Sequence, residues 1–366
     1  MVRVLHSELQ SNIGGIEAFL LNLTKTIDKT NLQFDFLMRG DNPYLENMLK
    51  NYGANIYKVP SGITNYHKFV KDILIKNNYD FVHVHKNSAA NIVLPLMVKK
   101  YTNAKLIVHS HNTSPSGGSK IAIILHKINK NRLMRLSDYR FACSDTAAAW
   151  MFGNDYIDKQ VKIIKNGIIT KDYVYDPKVR KQIRQQLDLE GKFVIGHVGA
   201  FREQKNHKYL LDIFSKLDIP NAELVLVGDG ALKEKIETQA QELRIQDRVK
   251  FLGSRNDINR LLQGFDLFVM PSLWEGLSVS AIEAQASGLQ LILSENVSHS
   301  IKITSNVKFL SLNDIDSWIR EIKSKIVDDR FDRKDETKAI KKSGYDMTMS
   351  ADKLRDFYLG TANLNV

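Results

Sequence analysis

Short apolar runs alternate with amphipathic segments along the whole chain. The amphipathic segments, such as IEAFLLNLTKTI and LKEKIETQAQEL, repeat their apolar residues at the spacing of a helix. Strands that alternate with helices in this way predict parallel sheets covered by helices on both faces, an α/β fold. The predicted strands are VRVL, FDFL, NIYKV, FVHVH, KLIVH, YRFAC and VKIIK in the first half and FVIGHVG, ELVLVG, VKFLG, LFVM, LQLIL and VKFL in the second.

The chain is long for one compact domain, since it has 366 residues. The alternating pattern loosens between residues 166 and 177, where NGIITKDYVYDP is typical of a linker. We therefore predict two α/β domains, the first over residues 1–168 and the second over 169–345. In open α/β sheets, ligands bind beyond the carboxyl ends of the strands, so the loops that follow the apolar runs are the places to search for chemistry.

The composition is that of an ordinary globular protein, with 43% apolar and 25% charged residues. A single cysteine, Cys143, excludes an intrachain disulfide and fits a reducing compartment. The first residues run directly into a strand pattern without a secretory segment, and no apolar run has the length of a membrane span. These features predict a cytoplasmic protein.

The net charge of +11 is concentrated in the first half of the chain. Residues 1–165 hold 22 of the 52 basic residues but only 12 of the 41 acidic ones. Such an excess indicates an anionic partner, which could be a membrane surface or a phosphate-bearing substrate; a merely solubilising charge stays an alternative. No zinc-finger spacing, RNP-like aromatic motif or clear helix-turn-helix pattern supports binding to nucleic acid.

Two loops have the residues that a phosphate needs. Gly14 and Gly15 stand between the first strand and a helix, where glycine lets the backbone approach a phosphate and the helix start offers free N–H groups. Arg202 and Lys205 follow the first strand of the second half and could neutralise a diphosphate. A plain glycine turn and a solvated basic loop are the alternatives.

Two histidine pairs end two predicted strands of the first half, His83 with His85 and His109 with His111. A spacing of two residues places both side chains of a pair on the same side of the strand. Binding of a metal is compatible with this composition, but no cysteine or acidic residue has a supporting spacing nearby. We therefore expect at least one pair to touch substrate, the alternative being that these are ordinary polar residues at strand ends.

Two acidic residues flank the start of a predicted helix in PSLWEGLSVSAIEAQASGL. Glu275 lies in the loop before the helix, and Glu283 lies about one and a half turns inside it. A carboxylate accepts two hydrogen bonds, so Glu283 could hold the adjacent hydroxyls of a ribose while the helix N-terminus faces a diphosphate. A dipole-stabilising acid and a solvated helix residue are the alternative, which does not explain why Glu283 falls within the apolar sequence AIEAQAS.

A basic amphipathic helix is predicted from Ser119 to Leu136. Its sequence, SKIAIILHKINKNRLMRL, interleaves isoleucine and leucine with five basic residues: Lys120, Lys127, Lys130, Arg132 and Arg135. The pattern is compatible with a helix that lies on a membrane surface. It is equally typical of a helix that packs its apolar side on its own sheet, and both interpretations stay open.

Taken together, these motifs resemble the retaining GT-B glycosyltransferases of family 4, in particular the EpsF-like branch associated with bacterial exopolysaccharide and capsule synthesis. The resemblance extends from Gly14 to about Leu289, and the E-x7-E element with EGL and EAQASG is its most specific part. The motifs are GGIEAFLLNL (14–23), HVH (83–85), HSHNT (109–113), KNGI (165–168), GHVGAFREQKNH (196–207), LVLVGDG (224–230), VKFLGSRNDI (249–258) and PSLWEGLSVSAIEAQASGL (271–289).

The resemblance implies a GT-B fold of two Rossmann-like domains that face each other across a cleft. It also implies that the segment 346–366, with the helix SADKLRDFYL, crosses back to the first domain. The nucleotide-sugar donor would bind mostly to the second domain, and the basic first domain would face the acceptor.

Roles for individual residues follow from the same resemblance. Glu283 matches the acid that holds the donor ribose, Glu275 the acid that contacts the donor sugar, and Lys205 the lysine that binds the diphosphate. His111 matches the histidine near the reacting carbon. The remaining matches are backbone amides of Gly276, Leu277 and Ser278 at the sugar and phosphates, Gly15 near the phosphates, Ser254 and Arg255 at the base, and His85, His109 and Asn112 on the acceptor side.

One position departs from the family pattern. An arginine usually stands directly after the glycine of the loop, five residues before the lysine, and this chain has Ala200 there. Arg202, two residues further along the loop, could replace this arginine, although its side chain leaves the backbone at a different point. The departure also fits an inactive, scaffold-type relative.

The resemblance implies a hexosyltransferase that uses a nucleotide-sugar, with UDP as the expected nucleotide. The expected acceptor is an undecaprenyl-diphosphate-linked saccharide at the inner face of the cell membrane, where the protein would be peripheral. We expect no divalent metal and no cofactor, because Lys205, Arg202 and the helix N-terminus at Ser278 could stabilise the leaving diphosphate. The D-x-D sequence at 314–316 opens a late helix and is typical of a cap. A protein glycosyltransferase, a GT-B epimerase or phosphorylase, and a catalytically weak partner subunit are the alternatives.

Overall fold

The computed structural model describes residues 1–11, 14–112, 120–327 and 332–361. The glycine loop at Asn12 and Ile13, Thr113 of the HSHNT motif, Ser119 at the predicted start of the basic helix and residues 328–331 of the charged stretch lie outside these ranges. Contacts divide the chain into two compact units. Unit 1 consists of Met1–Ile169 with Gly344–Val366, and unit 2 of Thr170–Ser343. The boundaries predicted after residues 168 and 345 differ from these by one and two residues.

The described part of unit 1 contains a seven-stranded sheet in which every pair of neighbours is parallel. The strands lie in the order β3-β2-β1-β4-β5-β6-β7. Their bounds are β1 Val2–Leu9, β2 Leu32–Arg39, β3 Asn55–Val59, β4 Phe81–Lys86, β5 Lys105–Ser110, β6 Tyr139–Ala142 and β7 Val161–Ile163. The helices that connect them are α1 Gly15–Thr26, α2 Pro43–Asn51, α3 Ile63–Lys76, α4 Val93–Tyr101, α5 Lys120–Leu136 and α6 Asp145–Phe152.

The described part of unit 2 contains a six-stranded parallel sheet in the order β10-β9-β8-β11-β12-β13. The strands are β8 Phe193–Val198, β9 Ala222–Val227, β10 Val249–Phe251, β11 Leu267–Met270, β12 Gln290–Ser294 and β13 Val307–Leu310. The helices are α7 Pro177–Gln186, α8 His207–Ser215, α9 Lys233–Glu242, α10 Ile258–Gly264, α11 Val279–Ala286, α12 Ile315–Val327 and α13 Thr337–Lys342. The predicted α/β class is therefore confirmed.

A last helix, α14 (Met347–Leu359), belongs to unit 1, although it follows unit 2 in the chain. Its buried residues Leu354 and Tyr358 join the apolar core formed around α1 and β2. The Tyr358 hydroxyl lies 2.6 Å from Nδ1 of His83 on β4, and Asp346 caps the helix by accepting from the Thr348 N–H.

Each unit has a core on both faces of its sheet, as expected when helices cover both sides. Strand β9 illustrates the cause, since all six of its residues are buried and five of them are apolar or alanine. In both sheets the chain reverses its winding beside the first strand, between β1 and β4 in unit 1 and between β8 and β11 in unit 2. Ligands bind at such switch points, so the loops that leave these strands define the candidate site.

Candidate active site

The loops that follow β8 and β11 are tied together at the switch point of unit 2. The Leu273 N–H donates to the Gln204 carbonyl at 2.8 Å, and the Gln204 side chain donates back to the Trp274 carbonyl at 3.1 Å. The Asn206 side chain donates to the Pro271 carbonyl at 3.1 Å. These bonds hold the predicted basic loop against the loop that leads to the E-x7-E element.

Lys205 and Glu275 meet at the centre of this junction. Lys205 Nζ lies 2.6 Å from Glu275 Oε2, and the two side chains are only 14% and 13% exposed. The Lys205 ammonium also lies 3.9 Å from the Met270 sulfur at the end of β11. The two residues that the sequence assigns to the diphosphate and the sugar therefore form a direct ion pair.

The turn after Glu275 presents backbone donors. Ser278 is the N-cap of α11, and its buried hydroxyl contacts Ser280 and Met270 rather than a backbone amide of the helix. Within the described residues, the N–H groups of Gly276, Leu277 and Ser278 have no hydrogen-bond partner. Free N–H groups at a helix start carry the positive end of the helix dipole, so this turn can receive an anion.

Glu283 lies in the middle of α11 and is half-buried, with buried residues on either side of it along the helix. The Tyr173 hydroxyl donates to its Oε1 at 2.6 Å. Burial raises the pKa of Glu283 to about 7, and the hydrogen bond from Tyr173 works against that rise. The same contact and burial raise the pKa of Tyr173 well above its usual value, so the tyrosine is the donor. Glu283 therefore exchanges its proton near neutral pH.

Position 200, where the family pattern has an arginine, holds Ala200, and Arg202 lies two residues further along the loop. Ala200 is half-buried at the loop, whereas Arg202 is exposed. Within the described residues, the Arg202 guanidinium has no hydrogen-bond or ion-pair partner. It is consequently free to move toward an anion at low cost, because no existing contact must be broken.

Two further loops close the same edge of the sheet. Gly228, after β9, has φ +144°, and a Cβ there would lie 2.1 Å from the Gly199 carbonyl oxygen, so only glycine fits. Arg255, after β10, forms a bidentate ion pair with Asp257 at 2.8 and 2.7 Å. This pair fixes the side chain that the sequence assigns to the base.

His197 and His207 lie outside the site predicted from the sequence, yet they flank Lys205. His197 is buried on β8, and its Nδ1 lies 2.8 Å from the Val269 carbonyl; His207 is buried at the start of α8 and stacks on Phe201. Burial and the nearby Lys205 charge lower the pKa of His197 to about 4. Both rings are thus neutral and leave Lys205 as the cation at this point.

Five histidines gather at the switch point of unit 1. They come from β1, β4 and β5 and the residue after β5: His6, His83, His85, His109 and His111. The rings of each predicted pair lie side by side: those of His83 and His85 stack with centroids 4.2 Å apart, and those of His109 and His111 are tilted by 34° with centroids 4.1 Å apart. The prediction that both members of a pair project to the same side of the strand is confirmed.

Hydrogen bonds connect three of these rings in a row. His6 Nδ1 lies 3.1 Å from His85 Nε2, and His85 Nδ1 lies 2.9 Å from His111 Nε2. His111 Nδ1 then lies 3.1 Å from Asn166 Oδ1. His109 is completely buried, and its ring nitrogens have no partner within the described residues. Asn112 follows His111, and its carbonyl lies 3.5 Å from the Ser110 hydroxyl.

Burial lowers the pKa of His6 and His111 to about 3. It also lowers the pKa of His83, His85 and His109 well below the usual range, with their neighbouring rings adding to the effect. All five rings are therefore neutral at physiological pH. A neutral imidazole carries one N–H and one bare nitrogen, so the tautomer decides which nitrogen donates and which accepts a hydrogen bond.

The same rings meet the distance condition for a metal. One nitrogen each of His6, His83 and His85 lie within 4.8 Å of one another, and so do those of His85, His109 and His111. Within the described residues, neither group includes a carboxylate or a thiolate that would offset the charge of a buried divalent cation. The hydrogen bonds between His6, His85 and His111 also occupy nitrogens that a metal would need.

Gly15 opens α1 and is exposed, with space for a Cβ and no positive φ. The Glu17 carboxylate accepts the N–H groups of Gly14 and Gln10, both at 3.0 Å. The fold alone therefore does not demand glycine at position 15.

Asp314 accepts the Ser317 N–H beside the start of α12, which confirms that DID is a helix cap.

Two models of glycosyltransferase families match this chain. The family model described as Glycosyltransferase Family 4 matches residues 13–172, and that of Glycosyl transferases group 1 matches residues 179–345. A Bacillus subtilis protein that bears the name glycosyltransferase EpsF is 32% identical over 97% of this chain and 96% of its own length. The chain is a GT-B glycosyltransferase of the EpsF-like branch of family 4.

Other relatives of this glycosyltransferase have named substrates. The Escherichia coli UDP-Gal:alpha-D-GlcNAc-diphosphoundecaprenol alpha-1,3-galactosyltransferase is 23% identical over 98% of this chain and 97% of its own. Among solved structures, HepE of Anabaena in complex with UDP and glucose aligns with a TM-score of 0.79 at 18% identity, covering 99% of this chain and 100% of that one. At that identity the likeness shows the fold, which confirms the predicted GT-B class.

Helix α5 begins with an exposed apolar stripe. Ile121, Ile124 and Ile128 are 70%, 57% and 66% exposed, and Leu125 is 41% exposed. Only His126 and Leu133 of this helix are buried. The side chains of Ile121, Ile124 and Ile128 therefore face solvent, whereas buried His126 holds the same part of the helix to unit 1 by accepting the Ala89 N–H at 3.0 Å. In the part of the chain that the structure describes, no helix is both long and apolar enough to cross a bilayer.

Proposed function

We propose that this glycosyltransferase moves a hexose from a UDP-sugar to a lipid-linked saccharide with retention of configuration, in exopolysaccharide or capsule synthesis. The observation that carries the proposal is the junction of Lys205, Glu275 and the N-terminus of α11 beside Glu283. It combines a cation, a set of free N–H groups and two carboxylates at the switch point of one sheet. A nucleoside diphosphate sugar requires these groups in this combination.

The donor would be bound by unit 2. The diphosphate would be bound by Lys205 and by the backbone amides of Gly276, Leu277 and Ser278. The exposed side chain of Arg202 would rotate toward it and add a second cation. Glu283 would hold the ribose hydroxyls, which requires Tyr173 to share or release its carboxylate. Glu275, released from Lys205, would accept hydroxyls of the transferred sugar.

These contacts support the following reaction. The bond between the anomeric carbon and the phosphate oxygen breaks, and its electron pair leaves on the nucleoside diphosphate, whose growing charge Lys205 and the start of α11 stabilise. The acceptor hydroxyl forms its new bond on the same face, and its proton passes to the departing phosphate oxygen. This route needs no nucleophile from the protein and no divalent metal.

The acceptor is inferred from the relatives. The galactosyltransferase named above acts on a diphosphoundecaprenol-linked sugar. A Campylobacter jejuni relative, 23% identical over 77% of this chain and 75% of its own, is named as an acetylgalactosaminyltransferase acting on a diphospho-undecaprenol-linked saccharide. A polyprenyl diphosphate is anionic at its head, which fits the excess of basic residues in the first half of the chain.

The exposed stripe of α5 supports a peripheral position on a membrane. Lys127, Arg132 and Arg135 are exposed on the same helix as Ile121, Ile124 and Ile128. A helix with an apolar stripe and basic flanks lies in the interface of an anionic bilayer, with its apolar side among the acyl chains. Such a position would bring the enzyme to a lipid-linked acceptor.

Nucleotide binding is the first test. The unfolding temperature is measured with UDP, GDP and ADP at millimolar concentration for the wild type and for Glu283→Ala. A ligand that binds only the folded state raises this temperature by mass action. We expect a rise with UDP that is lost in the variant. Release of UDP from a panel of UDP-hexoses, with and without a polyprenyl-diphosphate saccharide and with and without EDTA, then tests transfer and its independence of metal.

A catalytically weak partner subunit is the second candidate, and Ala200 is the observation that favours it. The absence of stabilisation by any of the three nucleotides would move the assignment to this candidate. Stabilisation by UDP without turnover of any UDP-hexose would do the same.

A further inference from the structure

The hydrogen bonds that connect His6, His85 and His111 in unit 1 all run in one direction from donor to acceptor. A neutral imidazole donates from one nitrogen and accepts at the other, so each ring in a row must pass the same polarity to the next. The row has one end whose polarity is set by another chemical group, the Asn166 Oδ1 that faces His111 Nδ1 at 3.1 Å. An amide oxygen only accepts, so His111 must carry its proton on Nδ1.

The remaining protons follow from this first one. With Nδ1 protonated, His111 Nε2 is bare and must accept from His85 Nδ1–H, 2.9 Å away. His85 Nε2 is then bare and accepts from His6 Nδ1–H at 3.1 Å. The row ends at His6 Nε2, which is bare, buried and without a partner within the described residues.

The opposite direction is less favourable. It would require the amide nitrogen of Asn166 to face His111, and it would leave a buried Nε2–H on His6 without an acceptor. Orphaned N–H donors are rarer in folded proteins than under-satisfied acceptors. Burial also keeps the rings neutral, which removes the state in which a ring could donate from both nitrogens.

We propose that Asn166, His85 and His6 form a one-directional hydrogen-bond chain that fixes His111 as the neutral tautomer protonated on Nδ1. Asn166 sets the direction, since it is the member that is not an imidazole. His85 is further held by its backbone N–H, which donates to the Ser7 hydroxyl at 2.8 Å. The three are positioning residues for His111. Their importance for catalysis rests on the proposed function. The assignment of the tautomers is independent of it.

The tautomers are measured directly on protein labelled with 15N at histidine. Two-bond 1H–15N correlations distinguish the protonated from the bare nitrogen of each ring, and single substitutions assign the rings. In the wild type at pH 7.5 we expect His111, His85 and His6 all to be protonated on Nδ1. A proton on Nε2 of His85 or His111 in the wild type overturns the proposal.

Asn166→Asp supplies the test of direction. The carboxylate would stabilise the imidazolium of His111, whose Nε2–H would then donate to His85 Nδ1. His85 does not touch residue 166, yet it should change from the Nδ1–H to the Nε2–H tautomer. An unchanged His85 beside a doubly protonated His111 shows that the rings are not coupled and overturns the chain. His67→Gln on α3 is the control, since the ring of His67 packs on Tyr101 and, within the described residues, on none of the histidines of the row.

Measurements of turnover test the hydrogen-bond chain separately from the proposed glycosyltransferase activity. On the UDP-hexose that the wild type uses, Asn166→Leu should lower kcat about tenfold, the equivalent of one lost hydrogen bond, and leave KM for the donor unchanged. Asn166→Asp should move the acidic limb of the kcat profile to higher pH. If the wild type turns over no UDP-hexose, the proposed function fails while the tautomer measurement still decides the chain. Wild-type turnover with an unaltered kcat in Asn166→Leu overturns the positioning role.

Discussion

Lys205 Nζ lies 2.6 Å from Glu275 Oε2, so the two residues assigned to the donor neutralise each other before the donor arrives. A diphosphate must take the ammonium from the carboxylate, and the cost of breaking the pair is subtracted from the binding free energy. The pair also keeps both charges satisfied in a place where each side chain is largely buried. We therefore expect donor binding to separate the pair, with Lys205 binding phosphate and Glu275 binding the sugar.

Removing one charge of the pair should have opposite effects on UDP binding. Glu275→Gln releases the ammonium, so we expect severalfold tighter binding of UDP together with a loss of sugar transfer. Lys205→Met removes the cation, so we expect UDP to bind about tenfold more weakly or worse, as for a lost charged hydrogen bond. Isothermal titration with UDP measures both changes.

The control for this pair is Lys50→Met, which breaks the exposed helix pair between Lys50 and Glu46 in unit 1. That variant should bind UDP as the wild type does. Weaker binding of UDP in Glu275→Gln would mean that the carboxylate helps to hold the nucleotide and that the two residues do not compete.

Glu283 should make stability depend on pH in the opposite sense to an ordinary ion-paired carboxylate. Its pKa is about 7 in the folded protein, against a usual 4.5 in the unfolded chain. The unfolded state therefore loses this proton first, and the contribution to stability is complete below pH 4.5 and lost as the pH rises through 7. Relative to Glu283→Gln, we expect the wild type to lose about 3 kcal/mol between these limits, measured by urea unfolding.

The same carboxyl should give nucleotide binding a pH dependence. The ribose hydroxyls donate to a carboxylate, so binding requires the ionised form. With a pKa of about 7, the ionised fraction rises about tenfold between pH 6 and pH 8, and the affinity for UDP should rise in parallel. Glu283→Gln controls for titration of the phosphate itself. An identical pH dependence in the two proteins would show that Glu283 does not hold the ribose.

Arg202 should take the place of the arginine missing at position 200. Its guanidinium is exposed, so Arg202→Ala should leave the unfolding free energy within about 0.5 kcal/mol of the wild type. UDP binding, in contrast, should weaken about tenfold. Adding Ala200→Arg to that variant should restore it. A wild-type affinity in Arg202→Ala, together with a large gain of turnover in Ala200→Arg alone, would show instead that the site is damaged.

Gly15→Ala separates a role in folding from a role in binding. A Cβ at position 15 meets no atom within 4 Å, so the unfolding temperature should not fall. Turnover should fall if the backbone must approach a phosphate closely at this position. Gly228→Ala is the contrasting variant, because its Cβ would clash with the Gly199 carbonyl and the protein should lose stability. Unchanged turnover in Gly15→Ala would remove Gly15 from the site.

Much of the fold could be predicted because a strand buried on both faces has a strong local signature. Each predicted apolar run overlaps an observed strand, and the order of elements fixes two parallel sheets. Helix α13 was harder to predict, because Thr337–Lys342 lies within a run of charged residues and buries only Ile340. Its packing against α11, rather than its own pattern, accounts for its place in the fold.

The candidate site shows where local patterns stop being informative. Glu275, Glu283 and the two histidine pairs stand in recognisable motifs, whereas Tyr173 lies in a stretch that is typical of a linker and reaches Glu283 across 110 residues. His6 is a single histidine whose role depends on the strand order, because β1 pairs with β4, from which β2 and β3 separate it in the sequence. Placing β1 at the centre of the sheet would have revealed it, since its alternation puts His6 beside His83.

The apolar stripe of α5 should bind the protein to anionic membranes. Ile124→Ser with Ile128→Ser removes two exposed isoleucines that would enter the acyl chains, each worth ~1 kcal/mol. Binding to vesicles of phosphatidylcholine and phosphatidylglycerol should fall about tenfold or more. The unfolding free energy should stay close to that of the wild type, because both side chains are exposed. Co-sedimentation with the vesicles measures the binding.

The basic residues beside the stripe should act separately. Lys127→Gln and Arg132→Gln should each weaken binding by ~1 kcal/mol at low salt, and the difference should shrink as salt screens the charges. Ile63→Ser is the matched control, since Ile63 is 90% exposed on α3 and lies outside the stripe. Equal losses in Ile63→Ser and in the double variant would show that the contact is not made by α5. Equal binding to vesicles with and without phosphatidylglycerol would show that the basic residues serve another anionic partner.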